Sequence, residues 1–420
     1  MKNWRITAAV FLLYFLFAIL LNSVGTVILQ VIHTFDVTKP NASILEAFKD
    51  ISIALASFLA AAFLPRVGYR KSMMIATAIM SCACIAMPLV PAFLTTKLFF
   101  MCCGISFALV KVSVYSTIGL ITDGARQHAQ YMNMLEGFFM LGVLSGYWLF
   151  SEFINSAQPG SPDWVHVYWV LAGFCIFIFI LLASSELDES ESQIRVHAHV
   201  HEDTELHLEA QGFLLMWRLI GKPIVFVFLF SAFLSVLVEQ GITSWLPTFN
   251  NEIMKLPLSL SVQITSILAA STAIGRMGFG LLLKKIHWYT LLASCLVCMG
   301  LLVLLTLPAT RGMVANQVTG WNNAPWAAFI FPLIGLFMAP IYPVINSLIL
   351  SALPKYQHSA MTGLIVIFSA LGGTTGSLIT GFVFAKFSGQ TAFYLVLIPL
   401  SVMLPALYFF KRTLAIQSKS

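Results

Sequence analysis

Residues 99–121 read FFMCCGISFALVKVSVYSTIGLI, with Lys111 as the one charge. The run is long enough to cross a bilayer, which takes ~20 mostly apolar residues. At ~1.5 Å rise per residue, Lys111 falls deep inside it. An ammonium at such depth costs at least ~2.5–3.5 kcal/mol on insertion scales. It therefore needs a partner, a watery cavity or a bound anion. Glu136 sits in the next apolar run, NMLEGFFMLGVLSGYWLF (133–150), and is a candidate partner. An acid and a base buried at mid-depth in neighbouring spans point to a polytopic protein that handles a solute.

The rest of the chain agrees with that reading. Of its 420 residues, 59% are apolar and only 10% charged, which excludes an ordinary soluble domain. Twelve apolar runs can be traced, near 8–33, 43–64, 73–93, 98–121, 130–154, 166–184, 223–247, 259–283, 289–308, 326–350, 359–385 and 391–410. Each is bounded by charge, Pro or Gly. The first run lacks a small-residue cleavage site, so it reads as a spanning helix rather than a removable leader. All seven cysteines lie inside apolar runs, Cys295 and Cys298 included, and read as small buried hydrophobes.

The net charge of +6 is unevenly spread. Residues 185–211 hold eight acids and one Arg. The bases gather in alternate loops, which places both termini in the cytoplasm of a bacterial inner membrane or plasma membrane. Bases that flank spans do not imply nucleic acid as a partner. The acidic stretch divides the runs six and six. The expected organisation is a six-helix bundle over 1–184, a cytoplasmic linker over 185–222 and a second bundle over 223–420. The linker ends in GFLLMWRLIGK, a short amphipathic helix anchored by Trp217 and Arg218. Its His197, His199, His201 and His207 could bind zinc weakly but have no fixed surroundings, so neither metal nor cofactor is expected.

Each half carries a basic hairpin between its second and third runs: FLPRVGYRKS (63–72) and GLLLKKIHW (280–288). The repetition suggests an internal duplication. In the first hairpin, Arg66, Gly68, Arg70 and Lys71 resemble the loop signature of major facilitator transporters, with Pro65 in place of its Asp. In the second half, AIGRMGFGLLLKK (273–285), FMAPIYPVINSL (337–348), LGGTTGSLITGFVF (371–384) and EQGITSWL (239–246) are similar to motifs of the fucose:proton symporter family. The resemblance covers most of the C-terminal half and reaches the N-terminal half only by spacing. It implies an all-α fold of twelve transmembrane helices in two pseudo-symmetric bundles, working by alternating access. It also implies that the hairpins gate, through Arg66, Gly68, Arg70, Lys71, Gly275, Arg276, Lys284 and Lys285. That family places an Asp in its first helix and a Glu in its fourth. Here the matching positions hold Gly25 and Lys111, and Glu136 replaces the Gln of the fifth.

Glu239, in the seventh run, is the candidate proton-coupling acid, because a carboxylate in a low-dielectric span can load and release a proton. It could also be a rim residue bonded to Thr243. Asp50 is a second candidate. Its neighbours Glu46 and Lys49 are three apart and read as a solvated pair at a helix end. Asn22, Tyr115, Gln240, Tyr342 and Asn346 are polar groups in apolar runs, suited to a solute or to a neighbouring helix. Tyr342 and Asn346 are four apart, hence on one face, beside Pro340 and Pro343.

The expectation is a monomeric secondary transporter for a small polar solute, sugar-like or anionic, in proton-coupled uptake. The alternatives are a facilitator-type exporter or uniporter and, from other classes, a non-transporting sensor or a membrane-embedded enzyme. An enzyme is disfavoured, because no acidic metal-diphosphate motif appears and Asp123 near His128 is the faint exception.

Overall fold

The computed structural model describes residues 4–122, 124–187, 219–283, 285–313, 318–354 and 357–417. Among the described residues the regular structure is helical, without a strand. Among those residues, eleven segments are long and apolar enough to cross a membrane. A further helix of 24 residues, Ile44–Val67, carries the Glu46-to-Asp50 charges. The expected runs match these helices to within a few residues.

Contacts group the chain into two units, Met1–Val37 with Ile44–His201, and Thr38–Ser43 with Glu202–Ser420. The first unit contains α1 (Trp4–Asn22) and α2 (Val24–Thr34). The short α3 (Lys39–Ala42) belongs with the second unit. Returning to the first unit, the chain forms α4 (Ile44–Val67), α5 (Tyr69–Leu89), α6 (Phe93–Ile121), α7 (Ala125–Glu152) and α8 (Val167–Ala183). Helix α6 packs on α4 and α5, while α1 lies against α7 and α8.

The break between α1 and α2 has a local cause. Asn22 Nδ2 donates to the Ala18 carbonyl at 2.9 Å, and Ser23 Oγ donates to the Leu20 carbonyl at 2.7 Å. Polar side chains that bond the preceding turn compete with the helix ladder and bend it.

The basic hairpin expected at 63–72 is tighter than its sequence suggests. Helices α4 and α5 meet at Gly68 alone, whose φ of 93° suits glycine. Arg70 and Lys71 therefore stand in the first turn of α5 rather than in a loop.

The second unit adds α9 (Pro223–Thr243), α10 (Leu246–Glu252), α11 (Leu258–Leu282) and α12 (Trp288–Thr306). The next span, Trp326–Ala352, is assembled from α13 (Trp326–Ile330), a 3-10 turn at Phe331–Leu333, α14 (Ile334–Met338) and α15 (Ile341–Ala352). Pro332 and Pro340 lie at its breaks, where a missing N–H and a bulky ring interrupt the ladder. The chain closes with α16 (His358–Lys386), α17 (Gly389–Tyr394) and α18 (Leu397–Gln417).

Helix α16 packs along α9 through the Gly-rich run seen in the sequence. A methyl group at Gly376 would overlap the Leu237 carbonyl, and one at Gly372 would meet the Phe233 carbonyl at 2.5 Å. Two glycines four apart thus let two backbones touch, the small-residue packing that spanning helices use in lipid. The α3 turn docks in the same unit. Lys39 Nζ lies 3.0 Å from Glu252 Oε2 and 5.2 Å from the centre of the Phe384 ring.

Candidate functional site

Lys111 lies on α6 one turn after Phe107 and one turn before Tyr115, so the three share a face. Its Nζ is 6.0 Å from the Phe107 ring centre, at the outer limit of cation–π attraction. The side chain is packed round by protein yet remains accessible.

From α7, Glu136 is turned toward the same stripe. Its Oε1 accepts a hydrogen bond from the Tyr115 hydroxyl at 3.0 Å. The Tyr115 hydroxyl also lies 3.1 Å from that of Tyr14 on α1. The aromatic rings fix this relay: Tyr14 and Phe139 are 5.0 Å apart, and Tyr14 and Phe107 are 6.2 Å apart. Tyr14 was not among the sequence candidates. It is one of many aromatics in an apolar run, and nothing in the sequence marks its hydroxyl as the partner of Tyr115.

Among the described residues the ion pairs are Lys39–Glu252, Lys49–Glu46 and Lys49–Asp50. Lys111 and Glu136 do not form one, although each lies within the other's electrostatic reach. The carboxylate is held by a tyrosine, and the ammonium is left facing an accessible space.

Asn22 is occupied by its bond to Ala18, so the structure gives it a local role. In the second unit, the Tyr342 hydroxyl lies 2.8 Å from Ser369 Oγ. Asn346 bonds to Tyr342, as the expected one-face spacing of the two requires, and Glu239 lies within electrostatic reach of Tyr342. The Oδ1 of Asn346 is buried with no hydrogen-bond partner. A buried acceptor left unpaired costs ~1–3 kcal/mol and is a natural place for a ligand donor. Gln240 follows Glu239 on α9 and is half-buried.

The Glu46–Lys49–Asp50 group departs from expectation. Glu46 is 0% exposed, Lys49 6% and Asp50 8%, so the pair is buried rather than solvated. The cause is the tight approach of α6: a methyl group at Gly104 would overlap the Lys49 carbonyl. A helix end that carries charge is ordinarily wet, but a neighbour without a side chain lets two helices close over it.

The gating candidates part company. Arg70 Nε and Nη2 donate to the Leu182 and Ala183 carbonyls, each at 3.0 Å, and so cap the end of α8. A cation there also meets the negative end of the helix dipole. Lys71, Arg276 and Lys285 are exposed. Gly275 is a contact residue, since a methyl group there would overlap the Leu336 carbonyl of α14. The side chain of Arg66, all of Lys284 and the linker residues 188–218, including the histidines and Trp217 with Arg218, lie outside the described residues.

The Arg70 clamp carries a prediction. Arg70→Ala removes two charge-assisted bonds and should cost ~1–3 kcal/mol. Lys71→Ala should stay within ~0.5 kcal/mol. Thermal unfolding of the two variants in detergent separates them, and equal midpoints would contradict the clamp.

Comparison with known proteins places this geometry in context. The family model of the Major Facilitator Superfamily matches residues 10–372, and the chain belongs to that family. No curated protein matches the sequence significantly. Among solved structures, the chain is similar to the nucleoside transporter NupG, with a TM-score of 0.70, 14% identity, 97% of this chain covered and 98% of that one. It is also similar to a D-xylose-proton symporter, with a TM-score of 0.72, 12% identity and 98% of each chain covered. A bacterial homolog of the human lysosomal transporter Spinster has a TM-score of 0.67 at 15% identity, covering 99% of this chain and 96% of that one. At such identities the likeness shows the fold: an all-α, multi-pass membrane transporter architecture.

Proposed function

We propose that this member of the Major Facilitator Superfamily is a secondary active transporter that takes up a small polar solute, anionic or sugar-like, by alternating access. The observation that carries the reading is Lys111. A cation within a 29-residue apolar helix, accessible and without a carboxylate in ion-pair contact among the described residues, is costly to keep unless it meets an anion or a hydroxyl-rich solute. Tyr115, with Tyr14 behind it and Glu136 as acceptor, offers a donor–acceptor pair beside that charge. Taken by itself, the second unit holds a buried acceptor without a hydrogen-bond partner among the described residues, Asn346 Oδ1.

The chemistry of these groups favours a solute with both a negative group and hydroxyls over a plain hexose. The resemblance of the C-terminal half to motifs of the fucose:proton symporter family supports proton-coupled uptake, as does the symporter among the fold neighbours. Glu239 and Asp50 are the acids able to carry the proton. We place the monomer in a bacterial inner membrane or plasma membrane, with both termini cytoplasmic on the distribution of Lys and Arg.

The test is counterflow in proteoliposomes loaded with one unlabelled solute at a time from a panel of hydroxy acids, sugar acids, hexoses and nucleosides. Transient accumulation of the labelled solute is expected for one class. Binding without counterflow for every solute bound would mean a sensor rather than a carrier.

A further inference from the structure

Lys111 stands beside a patch of rings drawn from three helices: Tyr14 of α1, Phe107 and Tyr115 of α6, and Phe139 of α7. The ring centres of Tyr14 and Phe139 are 5.0 Å apart, those of Tyr14 and Tyr115 6.2 Å, and those of Phe107 and Phe139 6.4 Å. The three pairs are tilted, by 50°, 48° and 42°.

Core packing accounts for Tyr14 and Phe107, which are 3% and 8% exposed. It does not account for the rest of the patch. Phe139 and Tyr115 are only half-buried, and the Lys111 side chain is accessible. Nor does the open part of Phe139 face lipid. Met134, Leu141 and Trp148 form the exposed apolar stripe of α7. At roughly 100° per residue, Phe139 lies on the opposite side of the helix from all three. Its own stripe holds Leu135 and Gly142, both buried. An open ring that is turned away from lipid and set beside an open ammonium is a surface for a solute.

We infer that the first unit selects a small aromatic hydroxy acid. Its planar ring packs on Phe139, its carboxylate meets Lys111, and its hydroxyl donates to Glu136 beside Tyr115. This rests on the transporter reading and narrows its solute class. Lys111 and Tyr115 are one turn apart, ~5–6 Å between Cβ atoms, a separation that one ring with a group at each end can span. The Tyr115 hydroxyl already donates to Glu136 Oε1 at 3.0 Å, and a carboxylate accepts more than one such bond. A sugar acid would turn hydroxyls onto Phe139, which has no partner for them, and polar groups left unpaired in a dry site are unfavourable. A planar ring gives up no hydrogen bond there and gains the offset and edge contacts that tilted rings favour.

The experiment is isothermal titration calorimetry of the full chain in detergent. The probes are 4-hydroxybenzoate, benzoate, 4-hydroxycyclohexanecarboxylate and gluconate. The saturated acid carries the same two polar groups as 4-hydroxybenzoate on a ring without a π-face. Wild-type protein should bind 4-hydroxybenzoate about tenfold tighter than the saturated acid, the gain expected of ring contacts. It should also bind it more tightly than gluconate. Phe139→Leu should reduce the ratio of aromatic to saturated acid to roughly threefold or less, since an aliphatic side chain cannot replace the ring contact. Glu136→Gln should shrink the advantage of 4-hydroxybenzoate over benzoate, and Lys111→Ala should abolish the binding of both.

Wild-type protein that binds the saturated acid or gluconate as tightly as 4-hydroxybenzoate, or binds none of the probes, would overturn the inference. So would a Phe139→Leu protein that keeps the full ratio. If Phe139→Leu does not fold, the wild-type ratio still decides. The two readings fail separately. Selective binding of 4-hydroxybenzoate without its counterflow would remove the carrier and leave the solute class standing. Counterflow of gluconate without selective binding of 4-hydroxybenzoate would do the reverse.

Discussion

Lys111→Ala should abolish solute flux in proteoliposomes while leaving the protein folded and inserted. Among the described residues the ammonium has no direct carboxylate partner to strand, and Glu136 is held by Tyr115. Removing it should therefore relieve a cost of at least ~2.5–3.5 kcal/mol rather than create one. The single mutant should unfold at or above the wild-type temperature. The Lys111→Ala/Glu136→Ala double mutant should be equally inactive and comparably stable. Recovery of flux in the double mutant would show that Lys111 serves only to balance Glu136. Flux that survives in the single mutant would remove Lys111 from the solute site altogether.

Gly376→Val should prevent accumulation of folded protein. Even a methyl group at this position overlaps the Leu237 carbonyl, and backbone cannot swing aside as a flexible side chain can. Overpacking costs ~1–3 kcal/mol where a core can adjust, and more where two helix backbones must separate. The control is Gly173→Val in α8, where a side chain would meet open space. Fluorescence-detected size exclusion of the two variants is the readout. A monodisperse Gly376→Val protein at wild-type yield would refute the α9–α16 contact.

The fold was legible because lipid imposes one rule on every span. Backbone polar groups must be satisfied within the segment, so each long apolar run becomes a helix. The division expected at 185–211 rests on acids that cannot bury, and residues 188–218 lie outside the described ones. Hairpin geometry was less accessible. FLPRVGYRKS reads as a loop, but one glycine at φ 93° suffices to turn the chain. Composition does not reveal how little chain a turn needs.

The candidate site was legible where charge marks it. Lys111, Glu136, Glu239 and Asp50 stand out against apolar neighbours. The partner of Glu136 did not stand out, because hydrogen bonds between helices depend on register that no single run encodes. Tyr115 and Tyr14 meet only once α1, α6 and α7 are packed. The burial of Glu46 and Lys49 was misread for the same reason. Whether a helix end is wet depends on the neighbour, and here that neighbour presents Gly104. Asn346 and Tyr342 could be paired in advance because a spacing of four on one helix needs no tertiary knowledge.

The claim that Lys111 meets the solute is tested most directly by pH-gradient-driven uptake of radiolabelled hydroxy acids and sugar acids into proteoliposomes, acid outside. Wild-type protein is predicted to accumulate one of these solutes above its external concentration. Collapse of the gradient should discharge it, and Lys111→Ala should leave only the leak of protein-free liposomes. Equal accumulation by wild type and Lys111→Ala would contradict the account.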